Sequence, residues 1–191
     1  MIVLIRKTRT IQTYIEGLII IEPSIYQRED IVVVETYDEK DMREIGLNTK
    51  FVQENQSVSK KGVLRGLHLQ KKFSQEKIIR VADGKIYDVA VDARIGSATY
   101  GKWLGIELSS KNHRQLYIPK GFAHGFYVMS DVATVCFKVS DYWYKDDEIG
   151  IPWDDPVLNI DWPIEEDKEL LIANKDLHYD PFLDLEEKLR I

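Results

Sequence analysis

The chain has 191 residues, 44% of them hydrophobic and 30% charged, with a formal net charge of -6. That length supports a single domain over residues 1–191 with a real core, and the composition is that of an ordinary globular protein. Lys and Arg are spread along the chain, which argues against a nucleic-acid binder, since that function needs a basic face. A small phosphorylated ligand remains open, because it needs only a few cations in one pocket. Cys136 is the single cysteine. No intrachain disulfide can form, so a reducing compartment and a cytoplasmic location are expected. Cys136 lies in an apolar run and reads as a buried, inert thiol. No apolar run approaches the roughly 18 residues of a membrane span, and MIVLIRKTRT has the wrong order for a secretory signal.

In chain order, Ile15–Glu22 and Ile31–Thr36 read as strands, being short and β-branched. Asp38–Gly46 reads as a short helix, with Asp38 as its cap, Met42 and Ile45 on one face, and Gly46 as its stop. Phe51–Val58 is the next strand, with Gln53 and Asn55 on one side. Val63–Gln70 follows, then Lys77–Ala82. The Asp83-Gly84 pair predicts a tight hairpin into Lys85–Asp92. There, one face carries Tyr87, Val89 and Val91, and the other carries Ile86, Asp88, Ala90 and Asp92, so that Asp88 reads as part of a pocket wall. Trp103–Leu108, Gln115–Ile118, Gly125–Met129 and Thr134–Trp143 continue the strand rhythm. Gly150–Pro163 is too irregular for a strand pair. Glu165–Leu171 reads as one helical turn and Asp184–Arg190 as a terminal helix. Many short strands at close spacing predict a sandwich or barrel.

The most informative stretch is Val63–Gln70, VLRGLHLQ. It places Arg65 and His68 in an otherwise apolar strand, where unpartnered polar groups cost several kcal/mol, about 2–7 for a neutral one. His68 reads as a catalytic base and Arg65 as an anion contact. The alternative is a satisfied core histidine beside a structural salt bridge. Strict alternation puts the two side chains on opposite faces. They share one pocket if the strand is bulged between them, and Gly66 is the natural site for that.

These segments together resemble the dTDP-4-dehydrorhamnose 3,5-epimerase family. The matching runs are Phe51–Asn55, Val63–Gln70, Lys77–Val81, Tyr87–Arg94, Pro119–Phe126, Ile151–Pro156, Ile160–Pro163 and Asn174–Asp176, in family order. The resemblance implies an all-β, cupin-like jelly-roll barrel with short peripheral helices, assembled as a homodimer. It implies a nucleotide-sugar substrate, no nucleic-acid or membrane partner, and no metal or organic cofactor. Members act on a nucleotide-linked 4-keto-6-deoxyhexose of polysaccharide or deoxysugar biosynthesis. His68 then matches the base, Asp176 its orienting partner, and Arg65 and Lys77 the cations near the sugar and its C4 oxygen. Asp88 and His124 match further pocket positions, Gln53 a contact to the nucleotide end, and Glu35 a contact offered across the dimer.

The sequence departs from the family in three places. The family's general acid is a tyrosine before a lysine, and here the pair is Phe137-Lys138. A phenyl ring has no proton to give. Six residues on, Trp143 replaces another tyrosine, though its indole still stacks and donates one hydrogen bond. Asp30-Ile31 stands where the family has Arg-Gly, with Arg28 nearby to compensate. Strand alternation sends Tyr142 and Tyr144 away from Phe137. These departures leave open a single-centre epimerase, a 3,5-epimerase with a relocated acid, and a sugar-nucleotide-binding protein without catalysis. A metal cupin is a further reading, since PKGFAH fits one cupin motif, but LRGLHLQ lacks the paired histidines of the other. His113 and His178 lie in polar segments and read as solvated.

Overall fold

A computed structural model of the protein describes residues 3–165 and 169–189. Short β-branched runs broken by Gly, Pro and Asp form strands throughout. The N-terminal third contains β1 (Val3–Arg6), β2 (Arg9–Gln12), β3 (Ile19–Glu22), β4 (Ser24–Gln27), β5 (Val32–Glu35) and the helix α1 (Glu39–Glu44). Then come β6 (Gln53–Lys60), β7 (Val63–Gln70), β8 (Lys77–Asp83), β9 (Lys85–Asp92), β10 (Trp103–Ser109) and β11 (Gln115–Ile118). The chain continues through β12 (Phe122–Val128), β13 (Val132–Val139), β14 (Glu148–Gly150), β15 (Leu171–Ile172) and the helix α2 (Leu185–Leu189).

Two large sheets face each other. The first has the order β2-β3-β11-β8-β13-β6, and the second β10-β9-β12-β7-β14, with β15 parallel to β7. Their apposed faces make the inner core, from Ile79, Leu116 and Val135 on one side to Ile86, Ala90 and Val128 on the other. This is the all-β jelly-roll architecture that the resemblance implies. Beneath the outer face of the second sheet lie Leu64, Leu67, Val89 and Val91, covered by Ile151, Leu158 and Trp162. The irregular Gly150–Pro163 stretch therefore cloaks a sheet face, where its tryptophans replace apolar contacts that a bare sheet would expose to water.

The helix is capped as expected, with the Asp38 side chain accepting from the Asp41 N–H and Met42 buried. β6 alternates half-buried and exposed residues along its length, with Gln53 and Asn55 on the inward side. Other expectations change. The strand predicted from Ile15 starts at Ile19, because Gly17 sits at φ +83° in a turn. Asp83-Gly84 does not close a hairpin: β8 pairs with β11 and β13, and β9 with β10 and β12. The turn instead carries the chain from one sheet to the other. For that reason both faces of β9 are buried, and Asp88 is a fully buried side chain rather than an open wall. β13 ends at Val139, so Trp143 is not in a strand and alternation does not govern Tyr142 or Tyr144. The helical turn expected over Glu165–Leu171 falls partly on residues 166–168, outside the described residues, and Leu171 itself belongs to β15.

A third sheet, β1-β4-β5, ends on β5, whose Ile31, Val32 and Val33 neighbourhood is exposed. No helix among the described residues is long and apolar enough to cross a membrane.

The turn after β9 is held by Asp92. Its buried carboxylate accepts from the Arg94 guanidinium at 2.7 and 2.8 Å and from the Ser97 and Thr99 hydroxyls at 2.6 Å each. Burial alone would raise its pKa, but these donors outweigh burial and hold it at about 2. Because the folded pKa lies below the unfolded one, this stabilisation is full above about pH 4 and is lost as pH falls toward 2. Denaturant titrations across that range are expected to show a loss on the order of 2 kcal/mol. The Asp92→Asn protein should lack that component and be less stable at neutral pH.

Candidate active site

The site begins with the backbone of β7. His124 of β12 faces His68, but Phe126 faces Arg65, so Gly125 alone opposes both Gly66 and Leu67. This is a bulge at the position the sequence marks. Its effect is to restart the alternation. Leu64, Leu67 and Leu69 all enter the outer core, while Arg65, His68 and Gln70 turn the other way. Gly66 is required: it sits at φ +109°, and a Cβ there would lie 2.6 Å from Gly125 Cα and from the His124 carbonyl oxygen.

β15 then delivers the carboxylate. Its parallel pairing sets Leu171 beside Val63 and Ile172 beside Leu64, so the turn Asn174–Leu177 arrives next to the bulge. Asp176 is buried there. One of its oxygens lies 2.8 Å from His68 Nε2, and the other accepts the Gly66 N–H at 3.2 Å. The Tyr179 hydroxyl donates to Asp176 at 3.2 Å, and its ring stands edge-on to His68. Burial pushes the Asp176 pKa up, but the His68 hydrogen bond, the His68 charge and the Gly66 N–H outweigh it and bring it below the usual carboxylate value. An ionised carboxylate can only accept, so His68 carries a proton on Nε2. Its Nδ1 is left with the basic lone pair.

His68 lines a cavity of about 480 Å³ between the two large sheets. A second histidine, His124, lines it beside His68, with its Nε2 at 2.9 and 3.1 Å from the buried Asp88 carboxylate. Glu148 of β14 completes this wall. It accepts from Trp143 Nε1 at 2.8 Å and pairs with Lys175. Burial pushes the Glu148 pKa up, and these donors, Lys175 first, bring it down on balance. The facing wall comes from β6, β8 and β13: Gln53, Lys77 and an apolar surface of Ile79, Val135 and Phe137. Lys77 makes no ion pair among the described residues. Burial lowers its pKa to about 8, against the opposing pull of Asp88 and Glu148.

Thus Gln53, His68, Lys77, His124, Phe137 and Trp143 all line one cavity, with Asp176 and Asp88 behind the two histidines. Arg65 shares the His68 face and has no carboxylate partner among the described residues; its guanidinium makes one long contact of 3.5 Å to the Leu64 carbonyl. Glu35 lies elsewhere in the chain, in a smaller polar cleft with Lys7, Lys40 and Glu44. Arg28, the cation nearest the Asp30-Ile31 departure, is paired with Asp30 at 2.9 and 3.1 Å. His178 is exposed, whereas His113 is half-buried with its pKa lowered by burial and by Arg6. Among the described residues, no group of three or more His, Cys, Asp or Glu side chains is placed to hold a metal ion.

Sequence reasoning missed Glu148, Lys175, Gln70 and Tyr179. Glu148 lies three residues before the matched run at Ile151, but its pairing through the three-residue β14 has no periodic signal. Gln70 closes the VLRGLHLQ motif and lines the cavity, and its amide ties the Phe73 and Tyr142 carbonyls and the Tyr144 N–H together.

The family model described as dTDP-4-dehydrorhamnose 3,5-epimerase matches residues 12–184. The chain belongs to that family. It is an enzyme of the epimerase class. The dTDP-4-dehydrorhamnose 3,5-epimerase of Methanothermobacter thermautotrophicus is 47% identical over 173 residues, covering 91% of this chain and 94% of its own. The solved structure of the Legionella pneumophila dTDP-6-deoxy-D-glucose-3,5-epimerase, in complex with dTDP-4-keto-L-rhamnose, has a TM-score of 0.91 and 43% identity. It covers 96% of this chain and 97% of that one. The dTDP-4-dehydrorhamnose 3-epimerase of Streptomyces niveus is 41% identical over 120 residues, or 62% of this chain and 58% of its own. Relatives named for one centre and for two are therefore both similar to this epimerase.

The bulge makes a direct prediction. Gly66→Ala forces a Cβ into the backbone of β12 and is expected to destabilise the epimerase by roughly 2 kcal/mol or more, read by thermal or urea unfolding. Gly46→Ala, at a positive φ with open space around it, should cost less.

Proposed function

We propose that this epimerase inverts a nucleotide-linked, dTDP-type 4-keto-6-deoxyhexose at a carbon flanking C4, with His68 as the base. The observation that carries this reading is the His68–Asp176 contact inside a cavity that also holds Lys77. The C4 carbonyl acidifies the hydrogens on C3 and C5. His68 Nδ1 takes one, and the electrons move into the C4–oxygen bond as an enolate. Asp176 fixes the tautomer and stabilises the imidazolium that forms. Arg65 and Lys77 supply positive charge for the C4 oxygen, and a donor fixed there is worth about 3–4 kcal/mol of barrier. No metal or organic cofactor is needed for this chemistry, because the ketone itself stabilises the carbanion. His124, held by Asp88, sits beside the base against the sugar. Gln53 and Trp143 serve the nucleotide end. In the same reading β5 pairs with a second copy across a homodimer, bringing Glu35 to the partner's site.

Phe137 favours one competing reading, a sugar-nucleotide-binding protein without turnover. The two are separated by incubating the protein with a dTDP-linked 4-keto-6-deoxyhexose in heavy water and following C3 and C5 by NMR. The epimerase reading expects deuterium at one or both carbons. Tight binding with no exchange would establish the competing reading.

Two variants extend the test. Asp176→Asn should lower the exchange rate by about 100-fold or more, because the amide no longer enforces the tautomer with a basic Nδ1. Phe137→Tyr restores a hydroxyl to the facing wall and should raise turnover by about tenfold or more.

A further inference from the structure

Inversion at carbon needs a proton removed from one face and another supplied to the opposite face. His68, His124 and Glu148 stand on one wall of the cavity, contributed by β7, β12 and β14. A donor must therefore come from the sheet opposite. There the cavity is lined by Gln53 and Asn55 of β6, Lys77 and Ile79 of β8, and Val135, Phe137 and Val139 of β13. Amides and hydrocarbons are not acids in this range. Among the described residues of this wall, Lys77 is the one ionisable side chain. Cys136 is turned away, with its thiol toward Gln56 on the other face of β13.

We propose that Lys77 is the proton donor of this epimerase, acting in place of the hydroxyl that Phe137 lacks. The assignment rests on the epimerase reading above and names the acid of that same site. Register places it well. Lys77 pairs with Val139 and Ile79 pairs with Phe137, so Lys77 and Phe137 are diagonal neighbours on one face. Such neighbours are about 7–8 Å apart, within the span of a lysine side chain. Both side chains line the cavity. The backbone neighbours of Lys77 across β11 and β13 are Ile118 and Val139, and the charges that act on it are Asp88 and Glu148 from the opposite sheet. With its pKa near 8, its proton is released more readily than that of an ordinary lysine.

The step balances. His68 Nδ1 forms a bond to the departing hydrogen, and the C–H electron pair becomes the enolate. The enolate carbon then takes a proton from the Lys77 ammonium on the opposite face, and the C4 carbonyl reforms. The N–H electron pair stays on Lys77 as a neutral amine. One imidazolium and one amine remain, and exchange of protons with water restores both. Lys77 shares the charge facing the C4 oxygen with Arg65 until it gives up its proton, and Arg65, which never releases its own, keeps positive charge there through the transfer.

The experiment compares deuterium exchange with inversion for the same dTDP-linked ketosugar in heavy water. His68 can return a solvent deuteron to the face it deprotonates, so exchange with retention reports the base alone. Inversion reports the opposite donor. The wild-type protein should do both. Lys77→Arg keeps a cation but is a far weaker acid. It should retain exchange within about tenfold and lose inversion by about 100-fold or more. Adding Phe137→Tyr to that variant should recover inversion by about tenfold or more, which a merely misfolded site could not show. If Lys77→Arg leaves the ratio of inversion to exchange unchanged, or if the wild type exchanges without inverting, the assignment is overturned while the base role of His68 stands. If the wild type shows no exchange, the epimerase reading falls and the assignment with it.

Discussion

The contact between His68 and Asp176 depends on one irregularity in the backbone. Without the extra residue at Gly66, strand alternation would place Arg65 and His68 on opposite faces, and one of them would enter the hydrocarbon beneath the outer cloak. With it, both turn toward the inner side. The same glycine donates its N–H to the Asp176 carboxylate, so the bulge both aims the imidazole and helps hold the group that orients it. Packing enforces the arrangement from two sides. Gly125 leaves room for the bulge across the ladder, and β15 fixes the approach of the turn that carries Asp176.

The cavity is chemically asymmetric. One wall carries two histidines, each backed by a buried carboxylate, and a glutamate held by Lys175 and Trp143. The other is largely apolar around Phe137, with Lys77 on the same wall. An apolar wall keeps water from reaching an enolate and strengthens the field of any charge within it. It also disfavours a protonated amine, which explains the direction of the Lys77 shift. Relatives of both one-centre and two-centre name resemble this chain, so membership of the family does not by itself set the stereochemical outcome.

Much of this was legible in the sequence because it rests on local chemistry. An Arg and a His three apart in an apolar run can share one pocket only if the strand is bulged between them, and the glycine there marks the place. The aspartate of the NKD run came from family resemblance, because 108 residues separate it from His68 and no local pattern links them. Long-range pairing hid the rest. The Asp83-Gly84 turn has hairpin residues, yet both flanking strands are apolar on their inward faces, and each finds better partners in a different sheet. Short strands such as β1, β2 and β4 leave no period to detect. Glu148 and Tyr179 enter the site through pairings three residues long or through a turn, so composition gives no hint of them.

The central claim is that His68 presents a basic Nδ1 to the cavity because an ionised Asp176 holds its Nε2–H. Nitrogen-15 NMR of the protein labelled at histidine tests this directly. The account predicts that neutral His68 carries its proton on Nε2, and that this preference weakens in Asp176→Asn. A neutral ring protonated on Nδ1 would contradict it, since no lone pair would then face the sugar.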